Sequence, residues 1–222
     1  MISDILFEDD SIILVHKKAG IAVSTKKITQ IDLESMLKSR DKSLCFLSPI
    51  NRLDQPVEGI VLFAKNKRAA SFLSNELQKG NFSKEYLALC LGKFENKKGE
   101  LENYLVKDGK NNTSFVSDKN NKNAKKALLK YEVLKEFDNF NKDLFDASLV
   151  KIKLITGRHH QIRVQFANIS HPLLGDKKYN TLSEDNYHFP ALCAVSLSFK
   201  HPVTNKTMSF SIKPENELFL KV

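Results

Sequence analysis

The chain has no tryptophan, and its 222 residues include only three cysteines, six prolines and eight glycines. Cys45, Cys90 and Cys193 stand far apart, with no CxxC pair and no Cys/His spacing, which argues against a structural zinc site. An odd, sparse set of thiols fits small buried hydrophobes in a reducing compartment better than a disulfide scaffold. No stretch approaches the ~20 apolar residues that a membrane-spanning helix needs. The opening MISDILFEDD is acidic and lacks a long apolar stretch, so it does not read as a secretory signal. A cytoplasmic protein with no membrane attachment is expected. Internal repeats, low-complexity tracts and Pro/Gly-rich linkers are also missing, so residues 1–222 are expected to form one domain, with monomer as the default assembly.

Hydrophobic residues make up 41% of the chain and charged residues 27%, as in ordinary globular proteins, and phenylalanine is plentiful at 15. The formal net charge is +9. Such a balance suits contact with nucleic acid, an acidic membrane surface or an acidic partner, and does not by itself choose among them.

Apolar patterning predicts a strand over 12–15, a helix over 31–37, and a strand buried on both faces at GIVLFA, 59–64. Ala69, Ala70, Phe72, Leu73 and Leu77 recur at helical spacing, with Gly80 as the stop signal. Further strands are predicted at 86–91, 128–134, 149–155, 191–199 and 208–212, a helix at 159–167, and a short terminal helix starting at Pro214. Residues 107–130 hold seven lysines and two aspartates. That stretch reads either as a solvated loop or hairpin or as an arm whose lysines meet phosphates. Strands adjacent in sequence, mixed with a few helices, predict an α+β fold around a mixed, largely antiparallel sheet.

Three segments carry chemistry. NRLDQPVEG (51–59) sets Arg52, Asp54 and Glu58 in a loop just before the buried strand, where a rigid sheet can hold them. TGRHHQIRVQF (156–166) leaves a strand, turns at Gly157 and enters a helix, with Arg158, Gln161 and Arg163 as donors for a phosphate or carboxylate. Adjacent His159 and His160 point about 100° apart on a helix, with no acidic ligand one turn away, so no metal is expected there. HPLLGDKKY (171–179) turns tightly at Pro172 and Gly175. Alone, each segment reads equally as an ion pair, a cap or a loop brace.

Their order and spacing together resemble the RluA-type pseudouridine synthases. The family pattern is KPxG, then HRLDxxTSG, then Lys-x-Tyr, then GRxHQIRxH, then GxPxxGDxxY. Here these are Lys17-Lys18-Ala19-Gly20, NRLDQPVEG, Lys84-Glu85-Tyr86, GRHHQIRVQ and HPLLGDKKY. The likeness runs from about residue 5 to 212. Asn51, Lys18, Val57-Glu58 and Gln165 depart from the pattern.

The resemblance implies an enzyme that converts uridine in structured rRNA or tRNA to pseudouridine without cofactor or metal. It implies Asp54 as the catalytic carboxylate, Arg163 as its cationic neighbour and Tyr86 as the ring packed on the uracil. Arg52 then helps hold the flipped-out nucleotide, and Lys17, Lys84, Arg158, His160 and Gln161 contact RNA or substrate. Asp176 and Tyr179 are expected as supports. No extra N-terminal RNA-binding domain is expected ahead of the catalytic core. Two other readings remain: a non-catalytic RNA-binding protein that kept the fold, and a hydrolase using Asp54 on a nucleoside or nucleotide. A second carboxylate near Asp54 would hinder its ionisation. Glu58 is therefore expected to turn outward or to pair with a lysine or arginine.

Overall fold

The computed structural model describes residues 4–25, 29–140, 145–180 and 187–222. In chain order the elements are β1 (Asp4–Glu8), β2 (Ile12–Lys17), α1 (Leu33–Arg40), β3 (Ser48–Pro49), β4 (Glu58–Ala64), α2 (Lys67–Gln78) and β5 (Ser83–Leu91). There follow β6 (Lys98–Asp108), β7 (Thr113–Ser117), β8 (Lys125–Phe137), β9 (Ala147–Leu154), α3 (Gln161–Asn168), β10 (Leu192–Lys200) and β11 (Thr207–Ser211). The fold class is α+β. The chain divides into two compact units, Met1–Lys84 with Ala194–Pro214, and Glu85–Cys193 with Glu215–Val222. Among the described residues no helix is long and apolar enough to cross a membrane.

In the first unit β2 pairs antiparallel with β1 and β4, β3 pairs with β4, and β11 pairs with β10. His16 lies opposite Ile60 and Leu14 opposite Leu62. Alternation therefore puts Ile12, Leu14, Ile60, Leu62 and Ala64 on one face. With Ala69 and Leu73 of α2, and Phe82, Leu197 and Phe199, they form the core of this unit. The GIVLFA run is buried along its whole length, as expected for a strand covered on both faces. Helix α2 starts where Asn66 Oδ1 accepts from Ala69 N at 2.8 Å. It ends in a Schellman turn at Gly80, with Asn81 N donating to Glu76 O at 3.0 Å and Gly80 N to Leu77 O at 3.2 Å.

Gly59 has φ +142°, and a Cβ built there would lie 2.6 Å from Ala194 N and 2.8 Å from its Cα. The obstacle is backbone, which cannot swing aside. Gly59→Ala is therefore expected to cost roughly 2–6 kcal/mol, adding strain at an unfavourable φ to overpacking. Thermal unfolding of the variant checks this; a melting point within a degree or two of the parent would show that β4 and β10 can separate freely.

In the second unit the order is β5-β9-β8-β6-β7, each neighbouring pair antiparallel. One face packs Leu105, Ala127 and Val116 against Val164 of α3 and Tyr179. The other is wet and carries the ion pairs Lys98–Glu132, Lys130–Glu100 and Lys126–Glu102. Residues 107–130 are the end of β6, all of β7 and the start of β8, joined by exposed turns, so the hairpin reading holds.

Two expectations need correction. Pro214 does not start a helix. Asn216 Oδ1 accepts from Leu218 N at 3.0 Å, and helical structure begins only in the single 3-10 turn Phe219–Lys221. Helix α3 starts later than predicted, because His160 takes a left-handed φ of +53°. That breaks the helical path before Gln161.

Candidate active site

The Asp54 loop runs from β3 into β4. Val57 N donates to Asp54 O at 3.0 Å, which closes a turn over 54–57. The next residue, Gln55, locks this turn to the end of β2: Gly20 N donates to Gln55 O at 2.9 Å, and Gln55 Nε2 donates to Gly20 O at 3.0 Å. Gly20 meets the loop at φ +86°, a conformation that suits glycine. Sequence reasoning passed over Gln55; its only signal was its position directly after Asp54. Asp54 itself is partly exposed, and Arg52 is exposed with no partner among the described residues.

Lys17 was expected to contact RNA, and the structure corrects this. It is 0% exposed, and its Nζ donates to Ile21 O at 2.7 Å, Lys18 O at 3.0 Å and Gln55 O at 3.1 Å. An ammonium buried among carbonyls braces the Asp54 loop and cannot reach a phosphate. Glu58 was expected to turn outward or to pair with a lysine or arginine, and the outward orientation is corrected. Its carboxylate is buried and lies 2.7 Å from His16 Nε2, also buried.

In the second unit Arg163 is 3% exposed and grips Asp176 in bidentate fashion, Nε to Oδ2 and Nη2 to Oδ1, both at 2.7 Å. Its guanidinium also lies 5.3 Å from the Tyr179 ring centre. Asp176 and Tyr179 thus act as supports, fixing a cation that never loses its charge. Tyr179 Oη accepts from Ser114 N at 2.7 Å and lies 2.8 Å from His160 Nδ1. Burial, with the charges of Arg163, His159 and Lys178, pushes the His160 pKa down to about 3. A buried neutral imidazole brings no charge to a phosphate, so His160 belongs to the scaffold instead of the RNA contacts.

Gln161 needs the same correction. It is buried, its Oε1 accepts from Arg158 N and Thr156 Oγ1, both at 2.9 Å, and its Nε2 donates to Leu128 O at 3.1 Å. It ties the start of α3 to β8. Arg158 remains exposed, anchored by Nε to Lys126 O at 2.8 Å, with its outer nitrogens unpartnered among the described residues. On β5, Lys84 and Tyr86 lie two positions apart and so share a face. Tyr86 is buried, while Lys84 is partly exposed and unpartnered among the described residues; burial pulls its pKa below the ordinary lysine value.

The family model described as RNA pseudouridylate synthase matches residues 11–168. The chain belongs to the RluA-type RNA pseudouridine synthases. It is 31% identical to the dual-specificity RNA pseudouridine synthase RluA of Haemophilus influenzae, covering 96% of this chain and 93% of that one. Identity to the namesake in Pasteurella multocida is 32%, over 95% and 93% of the two chains. Among solved structures, human RNA pseudouridylate synthase domain containing 1 shares the fold at TM-score 0.80 and 22% identity, over 96% of this chain and 83% of that one.

As an RNA pseudouridine synthase, this chain explains its own departures from the family pattern. Asn51 works as a side-chain rung on β4, its Nδ2 donating to Ile60 O at 2.9 Å and its Oδ1 accepting from Leu62 N at 2.8 Å. Val57 is buried, and Lys18 forms a 3.0 Å ion pair with Asp4. Gln165 donates from Nε2 to Asn103 Oδ1 at 2.8 Å and Leu101 O at 3.0 Å, while its buried Oε1 has no hydrogen-bond partner among the described residues. These substitutions serve packing and backbone pairing within their own units.

Proposed function

We propose that this synthase isomerises uridine in structured RNA through the Asp54 carboxylate, with no cofactor. The observation that carries this is the turn over 54–57, which backbone bonds and the Gln55–Gly20 lock hold fixed at the mouth of β4. A carboxylate on so rigid a mount can meet a reacting base in one orientation. In the reaction the N1 to C1′ bond of uridine breaks, a C5 to C1′ bond forms, the proton leaves C5, and N1 gains one. The sum is an isomerisation, and a carboxylate can supply the nucleophile or base it needs. The departures at Asn51, Val57, Glu58 and Gln165 are the only motive for a non-catalytic reading, and each has a structural role.

The target base must leave its stack, which costs a few kcal/mol, and an aromatic face recovers about 1–3 kcal/mol by stacking. Tyr86 is proposed for that face and Arg163 for the cation that favours ionised Asp54. Arg52, Arg158 and Lys84 are proposed for RNA contact. Ribosomal RNA is the favoured class, because a relative at 29% identity in Yersinia pestis is a ribosomal large subunit pseudouridine synthase; transfer RNA is the alternative. The cytoplasm is the proposed location.

The test is site-by-site mapping of pseudouridine in total RNA from cells with the gene, without it, and with Asp54→Ala. A uridine modified only when Asp54 is present supports the reading and identifies the target.

The lysine-rich hairpins sharpen the RNA reading. Lys126 and Lys130 are neutralised by Glu102 and Glu100, whereas Lys107, Lys110, Lys119, Lys122 and Lys125 are exposed with no partner among the described residues. Replacing those five with glutamine is expected to weaken RNA binding and to flatten the dependence of log K on log salt by roughly 0.7–0.9 for each phosphate no longer neutralised. An unchanged salt slope would show that the hairpins do not meet RNA.

A further inference from the structure

Behind the Asp54 turn lies a buried acid and imidazole that the reading above does not use. Glu58 is 2% exposed and His16 is 4% exposed, with 2.7 Å between the carboxylate and Nε2. His16 is opposite Ile60 in the β2–β4 ladder, so Glu58, two residues earlier, is its diagonal neighbour on the same face. The remaining positions of that face, Ile12, Leu14, Ile60 and Leu62, are core. Two apolar side chains would fill this end of the stripe without the desolvation cost of a buried polar pair. Stability alone therefore does not account for it.

Adjacent residues of a strand point to opposite faces. Lys17 reaches Gln55 O from one face of β2, while His16 reaches Glu58 from the other. Gln55 lies within the turn that Val57 N closes onto Asp54 O, and Glu58 directly follows that turn. The end of β2 thus holds the catalytic turn at Gln55 and at its exit, Glu58. Glu58 stands where the family pattern has serine, and its acid meets an imidazole already within reach on β2.

We infer that the His16–Glu58 pair is a positioning device for Asp54, setting the orientation of its carboxylate and thereby the turnover rate, with little part in RNA affinity. The inference rests on Asp54 being the catalytic carboxylate. A misplacement of about 1 Å can cost on the order of 100-fold in rate, so a loosened flank should be visible in kcat.

The experiment uses the full purified chain and, as substrate, total RNA from cells lacking the gene. The initial rate of pseudouridine formation is followed against RNA concentration, with Asp54→Ala as reference. Glu58→Leu and His16→Phe are each expected to lower kcat about ten-fold or more while KM stays within about two-fold. Glu58→Gln, which keeps an acceptor for the imidazole, should recover most of the rate. If either single variant fails to fold, the double variant His16→Phe/Glu58→Leu leaves no buried partner stranded and takes its place. A double variant with lowered kcat, beside a Glu58→Gln single variant that keeps most of the rate, supports the inference. Full kcat in folded Glu58→Leu or in the double variant, with only a lower melting point, overturns it. Activity lost in Asp54→Ala but untouched by the pair sinks this inference alone, whereas activity retained in Asp54→Ala removes the reading on which it rests.

Discussion

Asp54→Ala is expected to eliminate every pseudouridine that depends on this protein while leaving RNA binding nearly intact. The expected loss in rate is on the order of 10⁴-fold or more, the scale on which removing one essential member of a catalytic group acts. Asp54→Asn should fall almost as far, because it keeps the shape of the side chain and removes the charge that makes it a nucleophile or base. The turn around it should survive, since Val57 N donates to the main-chain oxygen of residue 54, which alanine retains, and Gly20 N donates to that of Gln55. Losing one negative charge beside a polyanion should not weaken affinity. Two measurements separate these effects: pseudouridine mapping on RNA from complemented cells, and binding of total RNA by the purified variant. Persistence of the dependent pseudouridine in the Asp54→Ala strain would sink the assignment. Joint loss of product and binding would point instead to a folding defect.

Asp176→Ala is expected to be among the most destabilising single changes in the chain. Asp176 is 0% exposed and takes both of its oxygens to Arg163, itself 3% exposed. Removing the carboxylate leaves a guanidinium buried without this counter-charge, at a cost of about 3–5 kcal/mol. For a chain of this size that corresponds to a fall in Tm of roughly 6–20 °C. Asp176→Asn should lose less, because one acceptor remains. The double variant Asp176→Leu/Arg163→Met should regain part of the stability while remaining inactive, since it removes the buried charge together with the cation proposed to favour ionised Asp54. Thermal unfolding of the four proteins decides the matter. A shift below about 2 °C for Asp176→Ala would mean that Arg163 draws its compensation from elsewhere.

The elements that sequence alone located were those with a strong local signal. GIVLFA is too apolar and too short for anything except a buried strand, and the α2 stripe carries its own cap at Asn66 and its own stop at Gly80. The strands β1 and β3 and most of β6 were missed, since their side chains are mostly part-exposed, while β7 fell within the stretch read as a loop or hairpin. The terminal helix was overcalled because proline permits a first helical turn without requiring one, and here the Asn216 side chain starts the turn several residues later.

Motif order was enough to name the enzyme family, because residues such as Arg52, Asp54, Tyr86 and Arg163 carry type and spacing along the chain, and those are one-dimensional properties. What a matched residue does is not. Lys17, His160 and Gln161 looked like RNA contacts as letters, yet all three are buried, and their polar atoms serve carbonyls, a tyrosine and a helix start. A lysine can snorkel to water or turn inward, and only the packing around it decides which. Likewise nothing in the spacing of His16 and Glu58, 42 residues apart, announces a buried pair. Strand register made them diagonal neighbours, and burial turned that proximity into a bond that neither residue can exchange for water.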